Sequence, residues 1–200
     1  MDLFNTNPVI RILDQDGEVD YYGPVLAPRQ SADYLAALLE TIEWQHDEAL
    51  MFGKRIITKR KVAWYGDQNF GYTYSKTTKF ALPWTAELLA LKQLVERTSG
   101  LSYNSCLLNL YHSGEEGMGW HSDDERSLTR DSSIASVSLG AERKFELRHK
   151  VSAEKVAVFL ENGSLLVMKG ATQRNWLHAM PKAARIRTAR VNLTFRTMAL

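Results

Sequence analysis

The half of the chain beyond Leu101 breaks into short runs of strand-forming residues: SCLLNLY at 105–111, IASVSL at 134–139, KFELR at 144–148, VAVFL at 156–160, SLLVM at 164–168 and RVNLTFRTM at 190–198. Gly140, the cluster Glu161, Asn162 and Gly163, Gly170 and Pro181 punctuate them, as turn residues should. Short strands at this rhythm suit a double-sheet jelly roll with helices packed outside. Two helices precede them. Residues 31–43 carry Leu35, Leu38, Leu39 and Ile42 at helical spacing behind Ser31 as N-cap, and Thr85 to about Thr98 carries Leu88, Leu91, Leu94 and Val95 between a capping Thr85 and a stop at Gly100. The expected fold is therefore α+β. Residues 1–100 form an extension with two helices, and 101–200 form the jelly-roll core of the same domain. Residues 51–79, basic, aromatic and glycine-containing, read as a flexible ribbon over the barrel mouth.

Composition narrows the class. Two hundred residues fit one domain, and no apolar run reaches the roughly 18–20 residues that span a bilayer. Acids and a proline interrupt the N-terminus where a signal peptide needs an apolar stretch, so export is disfavoured. Cys106 is the only cysteine and sits among apolar neighbours, which fits a reducing cytoplasm, or a nucleus in a eukaryote. A net charge of +2 does not by itself argue for nucleic acid; distribution must decide.

His121 and Asp123 form an H-x-D pair, and His178 lies far downstream. Two imidazoles and one carboxylate hold Fe(II) on one face of its octahedron and leave the opposite positions open, which makes the set an enzyme site. In RVNLTFR, alternation puts Arg190, Asn192, Thr194 and Arg196 on one face and Val191, Leu193 and Phe195 on the other. Arginines turned into a barrel need anions, and their planar forks suit a dicarboxylate; taken alone, such arginines are more often exposed to solvent. SCLLNLY repeats the pattern, with Asn109 and Tyr111 on one face. His46, His112, His149 and Asp131 make no comparable spacing.

The runs NLYHSGEEGMGWHSDDE, SIASVSLGAERKFELRHK, GSLLVMKG, NWLHAMPK and RVNLTFR resemble the AlkB family of Fe(II)- and 2-oxoglutarate-dependent nucleic-acid dealkylases, especially the homologues that act on double-stranded DNA. The likeness extends from about Phe52 to Thr197. It implies that His121, Asp123 and His178 ligate iron, and that Asn109, Tyr111, Arg190, Asn192, Thr194 and Arg196 line the 2-oxoglutarate site. Arg190 would clamp the distal carboxylate and Arg196 would lie nearer the metal.

MFGKRIITKRK gathers Lys54, Arg55, Lys59, Arg60 and Lys61 beside Phe52 and Gly53. Cations of this kind contact phosphates, and an apolar wedge fills the gap left by an extruded base; a solvated hairpin with Phe52 folded into the core is the rival reading. By resemblance Phe52, Gly53 and Lys54 form the intercalating finger, and Tyr72, Thr73 and Tyr74 belong to an N-terminal nucleotide-recognition lid, where Tyr74 replaces a more familiar phenylalanine. Asp124 and Glu125 suit the exocyclic amine of adenine or cytosine, or else form a solvated acidic turn. The turn after His149 and Lys150 is short for a double-strand-acting relative, which weakens the case for duplex preference. The resemblance thus implies a DNA-repair dioxygenase, and a monomer is the expected state. It would use Fe(II), 2-oxoglutarate and O2 to demethylate 1-methyladenine and 3-methylcytosine in DNA, releasing formaldehyde, succinate and CO2. Two alternatives stand beside it: an oxygenase acting on RNA, protein or a small molecule, and a nucleic-acid-binding module with an inactive iron site.

Overall fold

Alternation along RVNLTFR becomes strand β14 (Arg190–Arg196), whose Val191, Leu193 and Phe195 are fully buried in the main apolar cluster. In this computed structural model the backbone is described for residues 8–51, 54–74, 77–125 and 127–199, and side chains for 8–47, 57–71, 80–125 and 127–199. The first half supplies β1 (Ile10–Leu13), β2 (Glu18–Pro24), α1 (Pro28–Thr41), β3 (Gln45–Met51), β4 (Lys54–Gly66), β5 (Gly71–Tyr74), β6 (Thr77–Phe80) and α2 (Ala86–Ser99). Beyond it run β7 (Ser105–Tyr111), β8 (Met118–His121), β9 (Ile134–Gly140), β10 (Arg143–His149), β11 (Lys155–Leu160), β12 (Ser164–Lys169), α3 (Thr172–Asn175) and β13 (Trp176–Met180), ahead of β14.

The strands form an eight-stranded sheet in the order β1-β2-β12-β9-β14-β7-β4-β3, a four-stranded sheet β11-β10-β13-β8, and the separate hairpin β5-β6. The two large sheets make the expected jelly roll. One cluster (Ile134, Leu166 and Met168 with Leu147, Leu160 and Trp176) joins them. The other lies on the far side of the large sheet, where Cys106, Leu108, Val137, Val191, Leu193 and Phe195 meet Leu38, Leu88, Leu91 and Val95 of the helices. The large sheet is thus apolar toward the helices and free to be polar toward the small sheet.

Four differences from the sequence reading have local causes. First, α1 starts at Pro28, with Ala27 as N-cap and the Gln30 side chain accepting the Ala27 N–H; proline is preorganised for a first helical position. Ser31 is buried within the first turn, its hydroxyl donating to Ala27 O. Gly163, at φ +77, brings its backbone so near that a Cβ would lie 2.4 Å from Ser31 Oγ. Second, Leu39 is on the solvent side of α1, 39% exposed. Third, residues 54–66 are no loose ribbon: β4 pairs with β7 from Lys61↔Leu110 to Gly66↔Ser105. Fourth, β1 and β2 extend the large sheet through β12, so chain from before residue 100 builds both margins of the sheet that carries the site.

Candidate metal and cosubstrate site

The polar floor comes from three adjacent strands. In β14 and β7, Arg190 pairs with Tyr111 and Asn192 with Asn109, and on the other flank Asn192 pairs with Ser138 and Thr194 with Ser136. Cross-strand partners share a face, so these side chains meet. Asn192 Oδ1 accepts from Ser136 Oγ at 2.8 Å and from Arg190 Nη2 at 2.9 Å, and its Nδ2 donates to Thr194 Oγ1 at 2.8 Å. Arg190 Nη2 also reaches Ser138 Oγ at 2.9 Å.

Arg190 is 2% exposed, and among the described residues no carboxylate pairs with it. Its Nε is buried and has no hydrogen-bond partner among the described residues. Burial pulls its pKa down to about 10, with Tyr111 opposing, so it stays charged at neutral pH. A buried cation with an idle N–H is costly. A carboxylate delivered from outside would remove that cost, so this end of the pocket fits a dicarboxylate such as 2-oxoglutarate.

At the other end, His121 on β8 and His178 on β13 are paired across the small sheet, with Asp123 just past β8. One ligand atom from each lies within 4.8 Å of the other two, the spacing of a single shared ion. His121 Nδ1 stands 2.8 Å from Gly119 O. A carbonyl only accepts, so Nδ1 carries a proton there and Nε2, 3.9 Å from Asp123 Oδ1, is the nitrogen turned toward the carboxylate. His178 is 5% exposed beneath Phe145, and burial pushes its pKa down to about 4, with Asp123 opposing; it is neutral, as a ligand must be. Burial alone would raise the pKa of Asp123, but the opposing charges, the Arg196 guanidinium first among them, outweigh it and hold the carboxyl below its ordinary range. The donor set, two imidazoles and one carboxylate around one point, fits Fe(II).

The remaining sequence candidates divide. Arg196 Nη2 stands 2.8 Å from Asp123 Oδ2 and Nη1 3.9 Å from Glu125 Oε1, so Arg196 is at the metal end and Arg190 at the far end. Asp124 is exposed and Glu125 half-buried. Arg60 turns inward, 12% exposed, to Asp47 and Asn109. Phe52 and Gly53 fall outside the described residues; the side chains of Lys54, Tyr72, Thr73 and Tyr74 do too, although Lys54 opens β4 and the other three lie on β5. His46, His112 and His149 bond instead to Thr58 O, Glu116 and Ser152.

Several supporting residues escaped the sequence reading. Gln173 Oε1 accepts the Asp123 N–H at 2.9 Å, and Lys150 Nζ ties Ser122 Oγ to Gln173 O, holding the H-x-D loop. Fully buried Arg143 binds Glu116 O and Pro181 O, clasping the segments after β7 and β13. Ser136 and Ser138 carried a signal, since they alternate within IASVSL. Gln173 and Lys150 carried none, because their partners are distant in sequence.

Comparison with known proteins agrees with this geometry. Residues 18–196 match the model of the 2OG-Fe(II) oxygenase superfamily. The chain is 41% identical over 171 residues to the alpha-ketoglutarate-dependent dioxygenase alkB homolog 3 of Bos taurus, covering 80% of this chain and 59% of that protein. It is 38% identical over 175 residues to the DNA oxidative demethylase ALKBH2 of Mus musculus, covering 84% and 70%. The chain thus spans about three fifths of the length of the first of these relatives. The solved structure of OsALKBH1 superposes with a TM-score of 0.61 at 19% identity, covering 86% of this chain and 94% of that one, and so shares the fold. Iron(II), 2-oxoglutarate and oxygen are the reagents of the matched family. The chain belongs to the 2OG-Fe(II) oxygenase superfamily and, within it, to the AlkB family.

Proposed function

We propose that this protein is a DNA-repair dioxygenase that removes methyl groups from base nitrogens, chiefly in 1-methyladenine and 3-methylcytosine. The observation that carries the reading is the His121, Asp123 and His178 cluster bonded through Asp123 to Arg196 of β14, with buried Arg190 at the other end of the same strand, its Nε without a partner among the described residues. The names of the alkB homolog 3 and ALKBH2 relatives support oxidative demethylation and DNA as substrate.

In this reading His121, Asp123 and His178 hold the iron, and Arg190 takes the far carboxylate of 2-oxoglutarate through its idle Nε–H. Asn109 and Tyr111 offer further donors, and Asn192 and Thr194 lock Arg190 in place through their network with Ser136 and Ser138. When bound, the metal with 2-oxoglutarate and oxygen supplies the oxidation of an N-methyl to an N-hydroxymethyl group, which then leaves as formaldehyde, while the cosubstrate is converted to succinate and CO2. Arg196 keeps Asp123 ionised and oriented. Asp124 and Glu125, beside the metal loop, accept hydrogen bonds from the exocyclic amine of the base. The methyl carbon reaches the metal only when the nucleotide leaves the stack, and a methylated pairing edge lowers the cost of extrusion.

The test is Fe(II), 2-oxoglutarate and oxygen with methylated single-stranded DNA, duplex DNA and RNA, read by mass spectrometry. Loss of the N-methyl group from DNA with matching formaldehyde and succinate supports the assignment. Absence of oxidation on every methylated base rejects it, and preference for RNA transfers the activity to that polymer.

A further inference from the structure

The β3–β4 hairpin carries a bulge with an inward consequence. Pairing runs His46↔Lys61 and resumes at Glu48↔Ile57, so Asp47 alone faces Thr58, Lys59 and Arg60. Such insertions bend a strand and re-aim a side chain. This one is pinned by His46 Nδ1 to Thr58 O at 3.1 Å and by Thr58 Oγ1 to Arg60 O at 3.0 Å. The residue it re-aims is Arg60. Its guanidinium leaves the solvent side of a basic hairpin, pairs with Asp47 through Nη2, and donates from Nη1 to Asn109 Oδ1 at 2.6 Å. The two charged side chains are only 12% and 22% exposed, so the pair is poorly screened.

The contact fixes which way the Asn109 amide points. A guanidinium has only donors, so the amide atom facing it must be the oxygen. Asn109 Nδ2 is then turned away from Arg60, and among the described residues it has no hydrogen-bond partner. Asn109 pairs with Asn192 on the cosubstrate floor, so a donor is what a carboxylate there requires. A flipped amide would present an acceptor to an anion. Nothing on β7 itself prevents that flip; Arg60 does, and Asp47 keeps Arg60 from swinging out to solvent.

We propose that Asp47 is a positioning residue for cosubstrate binding, acting through Arg60 to hold the Asn109 amide with its N–H groups toward 2-oxoglutarate. The inference rests on the cosubstrate site proposed above. It also makes a prediction opposite to simple electrostatics: removing an acid near an anion site should tighten binding, whereas loss of a positioning contact weakens it.

The experiment is calorimetric titration of 2-oxoglutarate into Mn(II)-loaded protein, with Mn(II) in place of Fe(II) so that no turnover occurs, for the wild type, Asp47→Asn, Arg60→Met and the double variant. Asp47→Asn should weaken binding about tenfold, the worth of a charge-assisted hydrogen bond. Arg60→Met should weaken it similarly, and the double variant no further than Arg60→Met alone, as expected when one residue acts through the other. Melting temperatures and Mn(II) affinities that follow the wild type separate positioning from damage to the fold. Unchanged or tighter binding in Asp47→Asn, unchanged binding in Arg60→Met, or fully additive losses would overturn the role of Asp47. If Asp47→Asn does not fold, Asp47→Ser takes its place in the same cycle, with the same outcomes. A wild-type protein that fails to bind 2-oxoglutarate removes the cosubstrate reading itself.

Discussion

Arg196 Nη2 and Asp123 Oδ2 are 2.8 Å apart in a nearly dry setting, with side chains 12% and 7% exposed. Asp123 thus presents one oxygen to the two histidines while the other is held by a guanidinium, an arrangement that orients the carboxylate and keeps it charged. Arg196→Met should therefore weaken metal binding by roughly 10- to 100-fold, the usual cost of removing a partner behind a ligand. Competitive metal titration of the purified protein checks this, and an unchanged affinity would show that His121, His178 and Gln173 suffice to hold the site.

Arg190 poses the opposite problem, since its charge is buried before any ligand arrives. Replacing a buried, unpaired cation with an apolar side chain of similar length often stabilises a fold by about 1–3 kcal/mol. Arg190→Met should raise the melting temperature of the ligand-free protein and weaken 2-oxoglutarate binding by roughly 100-fold, because a carboxylate would then enter a pocket with no cation. Thermal unfolding with and without 2-oxoglutarate separates the two effects. A variant that is destabilised and still gains stability from cosubstrate would place the clamp on another residue.

The strands that carry the site were legible because alternation is a local code. RVNLTFR and SCLLNLY each declare an apolar and a polar face, and the structure buries the former against α1 and α2. The H-x-D pair was legible through its spacing, but its convergence with His178 depends on β8 and β13, two strands that the sequence reading did not identify. MGWH is only four residues long, and WLHAM follows a single helical turn, so neither shows enough period to be recognised. Arg60 was misleading for another reason. Its neighbours made it one member of a basic run, and only the bulge opposite Asp47 turns it inward; bulges leave no reliable mark in a single sequence.

Cys106 illustrates burial without chemistry. It lies on the apolar face of β7, is fully buried, and has its thiol pushed well above the ordinary range, chiefly by desolvation. Thiolate is the reactive form, so thiol reagents at mildly alkaline pH should leave the native protein unlabelled. Full modification should appear only with unfolding in denaturant, at a rate that follows loss of structure. Rapid labelling of the folded protein would mean that the interface between the large sheet and α2 opens readily.

Asp20 offers a titration away from the metal. It is 3% exposed on β2 and accepts from Arg11 Nε at 2.5 Å and Lys169 Nζ at 2.6 Å, linking β1, β2 and β12. Burial alone would raise its pKa, but the hydrogen bonds from Lys169 and Arg11 prevail and hold it below the usual value of 3.8. A carboxyl whose folded pKa is depressed stabilises the fold fully above its unfolded pKa, and that contribution fades as pH falls through the folded value. At pH 7 Asp20→Asn should therefore cost about 1–3 kcal/mol, with the variant melting below the wild type. The gap should begin to close as pH falls below roughly 4, the ordinary carboxyl range, and should vanish only below the depressed folded value, where both proteins carry a neutral side chain at this position. Melting curves collected from pH 7 down to about pH 2 measure the gap directly. A gap that stays constant across that range would mean that residue 20 acts through packing and neutral hydrogen bonding, and that its charge contributes nothing to the seam between β1, β2 and β12.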